Sequence, residues 1–334
     1  MGSSAGTARA FWLRAPGSGE IRVVSVPRPR QDEVLVRTLH SGVSRGTETL
    51  VFSGRVPASQ YDVMRAPFQD GRLPAPVKYG YLNVGRVEQG PPRLRGRAVF
   101  CLYPHQTAYV VPSSAVTALP DEVPVERGVL AGTVETAVNA VWDIGPLPGD
   151  GISVVGAGMV GCCVARLLMQ FPGVRVELVD VDPSRAEVSS ALDVQFAEPD
   201  DAERGRDVVV HTSATSAGLQ LSLDLLAPEG EVVDLSWYGD TPVELELGGS
   251  FHSGRLAIRA SQVGAVSRSR RGRRTPEDRL SLAVELLRDP AYDCLLTGQS
   301  AFAELPDVMR RLASGELAAL CHGITYDEEQ KCSA

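Results

Sequence analysis

The chain has 334 residues, 43% of them hydrophobic and 22% charged, with a formal net charge of −8. That length exceeds a single core and calls for two domains, the composition is that of a globular enzyme, and the acidic balance argues against general nucleic-acid binding. No apolar run reaches the roughly 18 residues of a membrane span and no signal peptide precedes the first strand, so the expected location is cytoplasmic.

In chain order, residues 1–7 read as a disordered tail. Residues 8–13, 21–26 and 34–39 alternate or run apolar between Pro and Gly breaks, which predicts strands. Ser41-Gly-Val-Ser-Arg-Gly-Thr-Glu48 is polar and predicts a loop leading into residues 49–52. Residues 53–76, rich in Pro, Gly and Arg, predict an irregular excursion. Strands return at 77–87, 96–101 and 108–112, the last two flanking Tyr103-Pro-His-Gln106, so a β-rich domain covers residues 1–125. Residues 134–143 have helical spacing and lead into β/α alternation. Strands are expected at 176–181, 208–211, 231–235 and 256–258, and helices at 183–191, 217–226 and 276–288. The class is α/β, with a doubly wound parallel sheet over residues 126–290. The remainder carries one amphipathic helix, at 305–313, and is too small to fold alone. It is expected to return, from residue 291, to the β-rich domain.

The second half is organised around residues 151–170. Residues 152–155 form a short apolar strand, followed by Gly156, Gly158 and Gly161 with G-x-G-x-x-G spacing and then by apolar residues at helical spacing from Met159 and Val160. Such a turn lets the backbone approach a pyrophosphate and sets it on a helix N-terminus. Asp180 ends the next apolar run, 24 residues after Gly156. A carboxylate there accepts ribose hydroxyls and repels a 2′-phosphate, so the expected cofactor is NAD. The six cysteines form no C-x-x-C pair, and Cys162 and Cys163 lie in the helix after the turn, as small buried hydrophobes do.

An N-terminal β domain, a central nucleotide domain and a returning tail resemble the medium-chain dehydrogenase/reductase superfamily over nearly the whole chain. Leu147-Pro-Gly-Asp150 before the glycine turn and Ser253-Gly-Arg-Leu-Ala-Ile258 are similar to its motifs. The resemblance implies a GroES-like first domain, a Rossmann second domain and a homodimer joined near residues 256–258. It departs at the metal. Ser44 stands where the zinc alcohol dehydrogenases have a first zinc cysteine, Tyr81 where they have a zinc histidine, and the third ligand position falls near Ala131. Their four-cysteine structural lobe is missing, with only Cys101 in that region. An improvised set of Cys101, His105 and Glu48 or Glu135 is the alternative to a metal-free site. Ser-Gly-x-Ser-x-Gly-Thr-Glu and Gly-Tyr-x-x-Val-Gly-Arg-Val are also similar to the bacteriochlorophyllide a dehydrogenase group, which oxidises a hydroxyethyl side chain with NAD.

With zinc absent, proton transfer falls to a side chain. Tyr81 is the first choice, aided by Lys78 if that cation lowers its pKa; a packed Tyr filling the metal hole is the plainer reading. Glu135, Ser44 and His105 are the other catalytic candidates, against a helix-start Glu, a loop Ser and a backbone-bonded His. For the cofactor the resemblance points to Arg45 and Arg268 on phosphates and Arg185 after Asp180. Thr212, Ser213, Ser236 and Trp237, at strand carboxyl ends, are expected to flank the nicotinamide. Trp237 and Tyr238 are either a substrate wall or edge packing. The five arginines within 267–274 read as cofactor or anionic-substrate steering, then solvated loop, then nucleic-acid contact.

Three functions compete. The first is a metal-free NAD(H) dehydrogenase interconverting a secondary alcohol and a ketone on a bulky, small-molecule metabolite. Removing a proton of pKa about 16 at pH 7 costs about 12 kcal/mol, so concerted proton removal must accompany hydride departure. The second is reduction of an activated alkene or iminium, and the third a non-enzymatic NAD sensor or RNA-binding protein.

Overall fold

The computed structural model describes residues 4–326. It opens with β1 (Ser4–Ala15), β2 (Ser18–Pro27), β3 (Glu33–Ser44) and α1 (Arg45–Phe52). Short strands follow: β4 (Asp70–Gly71), β5 (Val77–Lys78), β6 (Asn83–Gln89), β7 (Ala98–Cys101), β8 (Ala108–Pro112) and β9 (Val116–Ala118), then α2 (Val125–Gly128). The β/α part holds α3 (Ala131–Ile144), β10 (Gly151–Val155), α4 (Met159–Leu168), β11 (Arg175–Val179), α5 (Arg185–Ala191) and β12 (Gln195–Ala197). It continues with β13 (Arg206–His211), α6 (Ser216–Asp224), β14 (Leu226–Asp234), α7 (Ser250–Ser253), β15 (Ala257–Ala260) and α8 (Pro276–Leu286). β16 (Leu296–Ala301), α9 (Leu305–Ser314) and β17 (Cys321–Thr325) close the chain.

Two compact units result, one of residues 4–132 plus 296–326, the other of residues 133–295. The first contains a sheet of order β2-β1-β5-β4 and a seven-stranded sheet, β16-β17-β3-β6-β7-β9 with β8 on β3. Its core includes Val34, Val36, Val87, Val99 and Tyr109. The second is a six-stranded sheet of order β12-β11-β10-β13-β14-β15, parallel throughout. β10 is buried along its whole length, which is why its residues are apolar on both faces apart from Ser153, which bonds to Glu177 and Arg206. β15 is the sheet edge, with Ile258 37% exposed. Among the described residues no helix is long and apolar enough to cross a membrane.

Three local expectations change. Residues 4–7 of the expected tail belong to β1, and residues 1–3 lie outside the described residues. The expected polar loop at 41–48 is the end of β3 and the start of α1. β17 supplies the reason, since Ser41 pairs with Ile324 and Ser44 with Cys321, a partner far along the chain. Strands β12, β16 and β17 carry too few residues and too mixed a pattern to stand out in the sequence.

Candidate active site

In the first unit, β3 hands the chain to α1 at Ser44. Glu48, one turn into α1, folds its carboxylate back so that Oε1 accepts the Ser44 N–H at 2.9 Å, where a helix N-terminus favours an anion. Its Oε2 lies 2.9 Å from His105 Nε2, and the two side chains are only 3% and 1% exposed. Gly80, at φ +123°, makes room for the imidazole: a Cβ there would sit 2.8 Å from His105 Cδ2. His105 Nδ1 is 2.7 Å from Ser41 Oγ, which is 2.8 Å from the Tyr326 hydroxyl. A carboxylate only accepts, so the network assigns Nε2–H to Glu48, the Ser41 hydroxyl to Nδ1 and the Tyr326 hydroxyl to Ser41.

Tyr81 lies beside this network, hydrogen-bonded to the side chains of Ser44 and Thr47. Burial first, then the Glu48 charge, push its phenol up to about 12. The expected help from Lys78 fails, because that ammonium donates to Gln106 Oε1 at 3.0 Å and lies over the Tyr103 ring. Among the described residues no three His, Cys, Asp or Glu side chains are placed to hold a metal ion. Of the improvised set, Glu48 and His105 bond each other, while the Cys101 thiol sits with Tyr109 and is pushed up to about 12 by burial. Glu135 belongs to the other unit.

In the second unit the glycine turn is tightly built. A Cβ on Gly161 would meet the Gly156 carbonyl at 2.0 Å, and one on Gly156 the Thr212 hydroxyl at 2.7 Å. Around Gly158 there is nothing within 4 Å of a Cβ, which leaves open the face a pyrophosphate needs. Gly158 caps α4, whose first residues are Met159 and Val160. Asp180 follows β11, its Oδ2 accepting the Ala157 N–H at 2.7 Å and its Oδ1 the Asp182 N–H at 2.9 Å. These residues fit a dinucleotide, since each carboxylate oxygen keeps a lone pair for a ribose hydroxyl.

The other candidates fall unevenly. Thr212 Oγ1 donates to the Gly156 carbonyl at 2.8 Å, fastening β13 to the turn. Arg185 is 3.3 Å from Asp182, and Arg45 and Arg268 are exposed. Trp237 is half-buried, and all five arginines of the 268–274 run are exposed. Glu135 is held in α3 by Arg279 of α8, both guanidinium contacts at 3.0 Å and both residues buried. Burial lifts its carboxyl pKa, against the pull of Arg279.

One group escaped sequence reading. His211 and Asp234, the last residues of β13 and β14, lie side by side in register, with Nδ1 3.0 Å from Oδ1. Ser213 Oγ is 2.7 Å from His211 Nε2, and the Tyr238 hydroxyl donates to Asp234 Oδ2 at 2.9 Å. Although burial works the other way, bonds from His211, the Ser236 N–H and Tyr238 hold the Asp234 carboxyl below its usual range. The sign available beforehand was two polar residues ending adjacent strands beside Ser213 and Ser236.

A strand order of 3-2-1-4-5-6 after a β-rich unit that the chain's end completes decides the architecture. Its fold is that of the medium-chain dehydrogenase/reductase superfamily. Two solved structures of this fold illustrate the likeness. A provisionally named zinc-binding dehydrogenase of Sinorhizobium meliloti 1021, bound to NADP, has a TM-score of 0.75 at 16% identity over 96% of this chain and 99% of its own. A protein of Escherichia coli CFT073 described as a short chain alcohol dehydrogenase, complexed with NADH, has a TM-score of 0.74 at 15% identity over 96% and 100%. Among curated proteins, D-xylulose reductase A of Aspergillus oryzae is 25% identical over 189 residues, 48% of this chain and 52% of that protein. The chain spans about two fifths to one half of the length of the curated relatives it matches. No family model matches the chain.

Proposed function

We propose that the protein is an NAD(H)-dependent oxidoreductase interconverting a ketone and a secondary alcohol on a bulky metabolite, with a side chain and not a metal ion handling the proton. The observation that carries this reading is the glycine turn, packed so closely at Gly156 and Gly161 that only glycine fits, and open at Gly158. Such a turn is of use to a ligand that brings phosphate against backbone N–H groups. Bound nucleotide would supply or take the hydride. Gly158, Met159 and Val160 would hold its pyrophosphate, and Asp180 its adenosine ribose, which favours NAD(H) over the phosphorylated form.

Zinc does not suit the donors at the superfamily's metal position. Ser44 and Tyr81 are hydroxyls, and a phenol lifted to about 12 gives up its proton to a cation reluctantly. The same shift makes Tyr81 a weaker acid, and holds it in the protonated form that can hydrogen-bond a carbonyl oxygen. It stays protonated at neutral pH and can give its proton to a carbonyl oxygen as hydride arrives. As a base at pH 7 it would first have to lose a proton about five units below its pKa, a cost of about 7 kcal/mol. Ketone reduction starts from this protonated form, and the relative D-xylulose reductase A is named for a reduction. The test is NADH consumption across a panel of ketones, enones and iminium salts, with NADH binding followed by calorimetry. Turnover confined to enones or iminium salts would replace this reading, and absence of NADH binding would end it. The exposed edge β15, with Ile258 outward, suits pairing with its own copy. A dimer mass by light scattering at micromolar concentration is expected, and a monomer mass would refute it.

A further inference from the structure

His211 is a fully buried imidazole that no step above uses. Its surroundings suit a group that changes charge. Nδ1 faces Asp234 Oδ1 at 3.0 Å, Ser236 Oγ at 3.1 Å and the Tyr238 hydroxyl at 3.2 Å, while Nε2 faces Ser213 Oγ at 2.7 Å. α6 brings Gly218 near Nε2, and β10 lies opposite through Val155. Of these neighbours only Asp234 and Tyr238 titrate. A neutral imidazole gives Nδ1–H to Asp234 and accepts the Ser213 hydroxyl at Nε2. An imidazolium donates at both nitrogens, and Ser213 accepts instead. Both states are fully hydrogen-bonded, so neither leaves a buried ring nitrogen without a partner. Ser213 and Tyr238 are each half-buried, so hydroxyls stand on both sides of the imidazole for proton entry.

The pair also stands where charge changes during the proposed reaction. Ligands of a doubly wound sheet lie outside the strand carboxyl ends, and the two halves of a dinucleotide lie on either side of the central switch. Gly156 and Asp180 mark the adenosine half on β10 and β11, so His211 and Asp234, ending β13 and β14, lie under the nicotinamide half. Resting on the reading of this unit as a dinucleotide site, we propose that His211, backed by Asp234, is a charge-compensating positioning residue. It is neutral beneath the positive ring of NAD⁺ and takes up a proton beneath the neutral ring of NADH. Oxidation of an alcohol by NAD⁺ yields a ketone, NADH and one proton. As the ring loses its positive charge, one proton becomes favourable on His211, and it returns to solvent when NADH is exchanged for NAD⁺.

The experiment is calorimetric titration of the full-length protein with NAD⁺ and with NADH from pH 6 to 8.5, in buffers of differing ionisation enthalpy. Wild-type protein should take up more protons on binding NADH than on binding NAD⁺. Its preference for NADH should strengthen as pH falls, by at most tenfold per pH unit. His211→Gln should abolish the extra uptake and flatten the preference. Asp234→Asn removes the charge that steadies the imidazolium and should move the inflection to lower pH. A wild-type preference independent of pH overturns the proposal without any variant, and so does a pH dependence that survives His211→Gln. If neither nucleotide binds the wild-type protein, the oxidoreductase reading falls and this proposal with it, an outcome distinct from binding without proton uptake.

Discussion

Two buried carboxylates, Glu48 and Glu135, are set apart by their partners. Glu48 in the first unit is bonded to an imidazole, His105, at 2.9 Å, while Glu135 in the second is clasped by the Arg279 guanidinium at 3.0 Å. A guanidinium does not deprotonate in a protein. A proton arriving on Glu135 would therefore strand a buried charge and weaken one of the bonds joining α3 and α8, the other running from Arg279 to Asn139 Oδ1 at 2.6 Å. An imidazole can give or take the proton itself, and His105 leads on through Ser41 to Tyr326. Glu135–Arg279 is thus a locked ion pair and Glu48–His105 a pair able to rearrange its protons, and the second lies beside Tyr81.

The largest effect should come from unlocking the first pair. Arg279→Leu leaves Glu135 buried without its partner and should cost about 3–5 kcal/mol in urea unfolding. Adding Glu135→Gln should restore much of that loss, because an absent pair costs far less than half of one. A single variant as stable as the wild type would show that the pair is not what joins the two helices. Next in size is Tyr81→Phe, expected to lower kcat by about 100-fold with NADH affinity unchanged. An unimpaired variant would move the proton to His105. One zinc per chain by elemental analysis would break the contrast from the other side.

Much of this was legible in the sequence, for identifiable reasons. The glycine turn and Asp180 are local patterns that need no tertiary information, while Ser44 and Tyr81 stand out only through the resemblance that sets zinc ligands at those positions. Glu135 and Arg279 stand 144 residues apart, and nothing along the chain announces their pairing. His211 and Asp234 meet only because β13 and β14 are neighbours in register. Glu48 looked like a loop residue because the strand that orders Ser41–Ser44 comes from β17 near the other end. Lys78 misled for the same reason, since its distance along the chain from Tyr81 says nothing of Gln106.

A smaller effect tests the nucleotide side. Asp180 uses one lone pair of each oxygen on Ala157 and Asp182, so its charge is fixed over the turn, where a 2′-phosphate would be repelled. NADH should bind more tightly than NADPH by about tenfold to 100-fold, a few kcal/mol at most. Calorimetry giving tighter NADPH would reassign the cofactor, and Asp180→Ser should narrow the preference.

The smallest expected effect is an absence of change with pH, and it separates Tyr81 from its surroundings. A donor lifted to about 12 stays protonated well above neutrality, so kcat for ketone reduction at saturating NADH should not lose its proton donor below about pH 10. The fold gives way first. Cys101, Cys162 and Cys321 are raised from 9.0 to about 12, and Tyr103, Tyr109, Tyr292 and Tyr326 are raised above 10.0, in every case chiefly by burial. Where the folded pKa exceeds the unfolded one, the folded chain holds more protons, so stability is complete below the unfolded value and falls as pH rises through it. Loss should therefore begin near pH 9 with the thiols and steepen past 10 with the phenols. The alkaline fall in activity should coincide with loss of the circular-dichroism signal. A fall in kcat near pH 8 with the fold intact would mean that a more acidic group than Tyr81 gives the proton.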